Sequence, residues 1–147
     1  MGLFDKWKEK MNEATKKDPM YQGTMVLLYN LPKEKGLQFE VMCESLGVQV
    51  VYVDKADYLQ PLGALAEISG IERTDDVYEG EGFSEIMAVM KNFTGIAMVN
   101  FKDKMRRTNG VATFQLETTL HDKNINLNSI QIRDMLYAKK FPPKEEE

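Results

Sequence analysis

Residues 25–29 read Met25-Val26-Leu27-Leu28-Tyr29, an unbroken run of apolar side chains. A strand with one face in water alternates polar and apolar residues; a strand covered on both faces does not. The run therefore predicts a central strand with helices above and below it. Asn30-Leu31-Pro32 follows as a turn. Phe39, Met42, Cys43 and Leu46 then recur at i, i+3, i+4 and i+7, the spacing of one helix face, and Gly47 supplies the stop. Val48-Gln49-Val50-Val51-Tyr52-Val53 reads as a second strand. Residues 30–47 are long enough for a helical crossover, so the two strands are expected to be parallel.

Further along, Gln60-Pro61-Leu62-Gly63 opens a helix with Leu62, Leu65, Ala66 and Ser69 on one face and a stop at Gly70. Residues 71–82 form an acidic loop that ends in Gly80-Glu81-Gly82, where a carboxylate between the glycines repels phosphate. Ile86, Val89, Met90 and Phe93 again have helical spacing, with Ser84 as the cap. Thr94 begins a helix carrying Ala97, Met98, Phe101 and Met105 and ending at Asn109-Gly110. Residues 112–118 alternate, with Phe114 and Leu116 against Gln115 and Glu117, the pattern of a half-exposed edge strand. A polar loop from His121 to Asn128 leads to a last helix with Ile132, Met135 and Leu136 on one side. The expected fold is a small three-layer α/β domain with a three-stranded parallel sheet of order 2-1-3 and about five helices.

The chain has 147 residues, the length of one domain, with 19 basic and 23 acidic residues and a net charge of −4. That balance excludes a nucleic-acid binder driven by phosphate neutralisation. One cysteine excludes a disulfide framework and a multi-cysteine zinc site, and one histidine excludes a histidine-rich metal centre. Cys43, on the apolar stripe, reads as a small buried hydrophobe. Leu3, Phe4, Trp7 and Met11 make the apolar side of an N-terminal amphipathic helix, with Lys6, Lys8 and Lys10 opposite. This helix is expected to touch a partner, the protein's own surface or, at most peripherally, a membrane. It lacks the apolar core of a signal peptide and reads as uncleaved, which places the protein in the cytoplasm. The organisation expected is a helix and linker over 1–20, one α/β domain over 21–140 and a disordered tail over 141–147.

Several motifs resemble a bacterial family of small cytosolic proteins called domain of unknown function 3783. They are Leu27-Leu28-Tyr29-Asn30, Gln60-Pro61-Leu62-Gly63 with Gly70, Glu79-Gly80-Glu81-Gly82-Phe83, and Glu85-Ile86-Met87-Ala88-Val89-Met90 with Phe93. The resemblance covers roughly residues 25–137 and implies an α/β fold. It brings no established activity.

In a parallel α/β sheet, ligands bind beyond the carboxyl ends of the strands. With order 2-1-3 that crevice would hold Asn30, Thr118, Thr119 and His121, with Asp54, Asp57 and Gln60 after the second strand. The amides that open the helix at Pro61-Leu62-Gly63 would favour an anion. Two functions fit. The first is a non-catalytic binding or regulatory module that takes a protein partner or a small anionic ligand at this edge. The second is a small enzyme using Asp54, Asp57 and His121 in acid–base or metal-assisted chemistry. The sequence contains no nucleophile–base pair, no metal-ligand spacing and no cofactor motif, and the first reading is the leading one.

Overall fold

The computed structural model describes residues 19–108 and 113–143. Its centre is β1, Met25–Tyr29, every residue of which is at most 2% exposed. Helix α1, Lys33–Leu46, crosses from it to β2, Gln49–Tyr52, which pairs with β1 in parallel, Val26 opposite Val50. These elements are as the apolar run and the helical stripe predict. Gly47 closes α1 at φ 92°, the left-handed conformation that a residue with a Cβ resists.

The next elements depart from expectation. Residues 87–91 form a strand, β3, rather than a helix, and β3 pairs antiparallel with β1, Leu28 opposite Ala88 and Val26 opposite Met90. β4, Leu116–Thr119, pairs in parallel with β3 rather than with β1. The sheet is therefore mixed and four-stranded, of order β2-β1-β3-β4, and not a three-stranded parallel sheet of order 2-1-3. The physical reason lies in residues 86–90, Ile86-Met87-Ala88-Val89-Met90, which are apolar throughout. Such a run satisfies helical spacing and a doubly covered strand equally well. Burial of both faces decides for the strand: Ala88 and Met90 pack on one side, Met87 and Val89 on the other.

There are four helices among the described residues, not five: α1; α2, Leu62–Leu65; α3, Gly95–Arg107; and α4, Ser129–Lys140. Helix α2 is shorter than its apolar face suggests and ends at Ala66, with Glu67 at φ 59°. Thr94 caps α3, its hydroxyl accepting from the Ala97 N–H at 3.1 Å. Asn128 and Gln131 form a reciprocal capping box that opens α4.

Both faces of the sheet are covered. On one, Val26, Leu28, Ala88 and Met90 meet Phe39, Met42, Cys43 and Leu46 of α1 and Ala97, Phe101 and Met105 of α3. Phe101 is the hub, with ring centroids 5.1 Å from Phe93, 6.0 Å from Phe39 and 6.4 Å from Tyr21. On the other face, Met25, Leu27, Tyr29, Met87, Val89 and Leu116 meet Tyr58, Leu62, Leu65 and Ile132.

Phe101→Ala should therefore cost about 3–5 kcal/mol in urea unfolding, as expected when a fully buried ring is removed. Burial, aided by the Glu40 carboxylate, pushes the Cys43 thiol up to about 12. A bulky thiol reagent should label Cys43 only at the rate of unfolding; rapid labelling of the native protein would contradict its place in the core.

Candidate functional site

Because β3 and β4 run opposite to β1 and β2, the carboxyl ends of the two pairs lie at opposite edges of the sheet. Asn30, Asp54, Asp57 and Gln60 follow β1 and β2 at one edge. Thr118, Thr119 and His121 end or follow β4 at the other. The strand ends are separated by the length of a five-residue strand, roughly 13 Å. The crevice that a parallel sheet would make between them does not form.

At the first edge the nominated residues hold the chain to itself. Asn30 sits at φ 65°, and its amide donates to the carbonyls of Phe83 at 2.7 Å and Glu85 at 2.9 Å. Gln60 is buried; its amide nitrogen donates to the Thr74 carbonyl at 2.8 Å and the Asp76 carbonyl at 3.0 Å, and its oxygen accepts from the Thr74 N–H at 2.7 Å. This one side chain fixes the acidic segment against the body. Asp57 pairs with Arg73 at 2.5 Å, and Asp54 is exposed. The amides expected to favour an anion are also occupied: Leu62 N–H donates to the Leu127 carbonyl and Gly63 N–H to the Ile125 carbonyl, both at 2.8 Å. Gly80-Glu81-Gly82 wraps the Tyr78 ring, and the Gly82 N–H donates to the Tyr78 hydroxyl at 3.0 Å.

At the second edge, Thr119 gives its carbonyl to the Asn124 amide at 2.9 Å, and the His121 Nδ1 accepts from the Lys123 N–H at 3.2 Å. Thr118 makes only a long contact to its neighbour's carbonyl. Among the described residues no group of histidine, cysteine or acidic side chains is placed to hold a metal ion. No helix among them is long and apolar enough to cross a membrane. Leu3, Phe4, Trp7 and Met11 lie outside the described residues.

The sequence reading missed the strongest polar constellation. The Arg133 guanidinium donates to both oxygens of Glu85, at 2.9 and 3.1 Å, and to Asp134 at 2.9 Å, while lying 4.5 Å from the Tyr137 ring centre. The side chains of Arg133 and Glu85 are 24% and 18% exposed. The pair joins α4 to the segment entering β3. Below it the Tyr29 hydroxyl meets the Ser129 hydroxyl at 2.6 Å, and burial raises the Tyr29 proton affinity. These groups are bonded mainly to one another, with three of the five Arg133 N–H donors taken by Glu85 and Asp134.

The most apolar open groove lies on α1. Leu37 and Val41 of α1 are 65% and 60% exposed, and with Met42 they line a groove of about 520 Å³ toward Lys104 and Arg107 of α3. Their spacing at i and i+4 is a second apolar stripe on α1, turned away from the core stripe, and that stripe was the signal in the sequence. No family model, curated protein or solved structure matches the chain.

The bidentate bond from Arg133 holds the Glu85 carboxyl below its ordinary value of 4.5. A carboxyl depressed on folding adds stability above its unfolded value, and that stability is lost as pH falls through the folded one. Glu85→Gln should therefore destabilise by about 1.5 kcal/mol near neutral pH. In urea titrations the gap between wild type and variant should close as pH drops below 4.5; a gap independent of pH would contradict the pairing.

Proposed function

We propose that this chain is a non-catalytic binding module whose partner is a protein carrying an amphipathic helix with an acidic flank. The observation that carries the reading is the groove between α1 and α3, where Leu37 and Val41 stand in water beside Lys104 and Arg107. Exposed apolar side chains spaced at i and i+4 and rimmed by cations suit a helix laid into a groove. The polar residues nominated for a small anionic ligand support it indirectly, because Asn30 and Gln60 are already bonded to the backbone around them. Membership of the domain of unknown function 3783 family belongs to this proposal and adds no activity to it.

The alternative of a small enzyme requires Asp54, Asp57 and His121 to converge on one cavity. Asp57 is engaged by Arg73, and His121 follows β4 at the other edge of the sheet. The binding reading needs no such convergence.

A direct test is calorimetric titration of the full-length protein with a synthetic helical peptide that has leucines on one face and glutamates on the other. The expected result is saturable binding that weakens at least tenfold in Val41→Glu and in Lys104→Glu, about 1.4 kcal/mol or more. Unchanged affinity in both variants, or no binding to wild type, contradicts the reading.

A further inference from the structure

The two outer strands of the sheet are finished differently. β4 carries charge along its edge: Glu117 pairs with Lys102 at 2.8 Å, and the Lys140 ammonium donates to the Gln115 carbonyl at 2.6 Å. Charged groups of this kind are how proteins keep an edge strand from adding a neighbour. β2 has no such guard. Gln49-Val50-Val51-Tyr52-Val53 contains no charge, no proline and no glycine, and Tyr52 is 45% exposed.

The hydrogen bonding of β2 shows which groups are free. Gln49 N–H donates to the Thr24 carbonyl at 3.1 Å and Val53 N–H to the Leu28 carbonyl at 3.0 Å. In a strand, the N–H and C=O of one residue point to the same side, and successive residues alternate. Gln49, Val51 and Val53 therefore face β1, while Val50 and Tyr52 direct their N–H and C=O groups away from the sheet. Among the described residues nothing pairs with those four groups.

The geometry points to a second copy of this chain as the occupant of the β2 edge, paired antiparallel about a two-fold axis at Val51. The outward groups are arranged symmetrically about that residue. Setting Val50 opposite the partner's Tyr52, and Tyr52 opposite the partner's Val50, uses all four on each side and leaves Val51 facing itself as the close, non-bonded pair. Self-complementarity of this kind is what an isologous interface requires. An aromatic ring across from a β-branched side chain is also a favourable cross-strand pair.

The charges beside the edge agree with this arrangement. Lys33 and Glu40 line the depression next to Tyr52, and Glu44 lies lower on the same flank of α1. A two-fold axis at Val51 runs the two α1 helices antiparallel, bringing Lys33 of each toward Glu44 of the other. Glu40 sits near the axis and faces its own copy, the one opposing contact. The depression beside this edge shares only Leu37 with the groove toward α3, and the strand pairing does not use that side chain, so the inference does not depend on that groove's partner.

The test uses the full-length protein. Sedimentation velocity should give a species of twice 16.9 kDa. Val50→Pro removes one outward N–H and no bond to β1, so it should shift the protein to a monomer that keeps the far-ultraviolet circular dichroism of the wild type, with a lower thermal transition because the dimer's stabilisation and the Val50 packing are lost. Val51→Cys should form a disulfide-linked dimer under mild oxidation, against a background kept low by buried Cys43. Gln49→Cys, whose counterpart across the axis is the partner's Val53, should cross-link at least tenfold more slowly. The cross-linking arm stands even where Val50→Pro fails to fold. A monomeric wild type, or equal cross-linking at positions 49 and 51, overturns the proposal; a monomer would leave the edge to a foreign strand.

Discussion

The antiparallel pairing of β3 with β1 governs the rest of the molecule. β1 is covered on both faces and flanked on both sides, so its five residues lose nearly all contact with water. Each apolar side chain buried in this way contributes about 1.5–3 kcal/mol. The direction of β3 has a second consequence. A strand antiparallel to β1 delivers α3 alongside α1 with the opposite sense, and it turns β4 so that the loop from His121 to Asn128 starts at the far edge. That loop then returns over the sheet to bond Leu62, Gly63 and Tyr58 through its own backbone and that of Ser129. Helix α2 stops where Glu67 takes positive φ, and its first amides, which no helix satisfies internally, are taken by the loop carbonyls of Leu127 and Ile125.

Much of this was legible in the sequence. The run at 25–29 identified the central strand, the stripe from Phe39 to Leu46 identified α1, and Thr94 marked the start of α3. What failed was residues 86–93, whose apolar run Ile86–Met90 satisfies helical spacing and a doubly covered strand equally well. Length and flanking residues could have arbitrated: the apolar run is five residues long, with Gly80 and Gly82 before it and Asn92 after it. One misread strand changed both the order of the sheet and its parallel character, and with them the location of the candidate site. Asn30 and Gln60 follow β1 and β2 at one end of the sheet, where their side chains are consumed by Phe83, Glu85, Thr74 and Asp76. Glu85 and Arg133 are far apart in the chain, and no local pattern announces a pair that only the tertiary fold assembles.

Among the described residues, three polar side chains tie separate segments of the fold together. Gln60 fastens the acidic segment, Asn30 fastens the entry to β3, and Arg133 ties α4 to the same entry. Two open features lie on either flank of α1. One flank offers Leu37 and Val41 toward a basic rim; the other offers the unguarded edge of β2. Both arise from one helix, whose inner stripe builds the core and whose outer residues remain available.

The central claim is that residues 87–91 are a strand paired with β1. Nuclear Overhauser contacts between backbone protons test it most directly. The account predicts cross-strand contacts in the register Leu28 to Ala88 and Val26 to Met90. Sequential i to i+3 contacts running from Ile86 through Met90 to Phe93, with none to β1, would show a helix there and contradict the account.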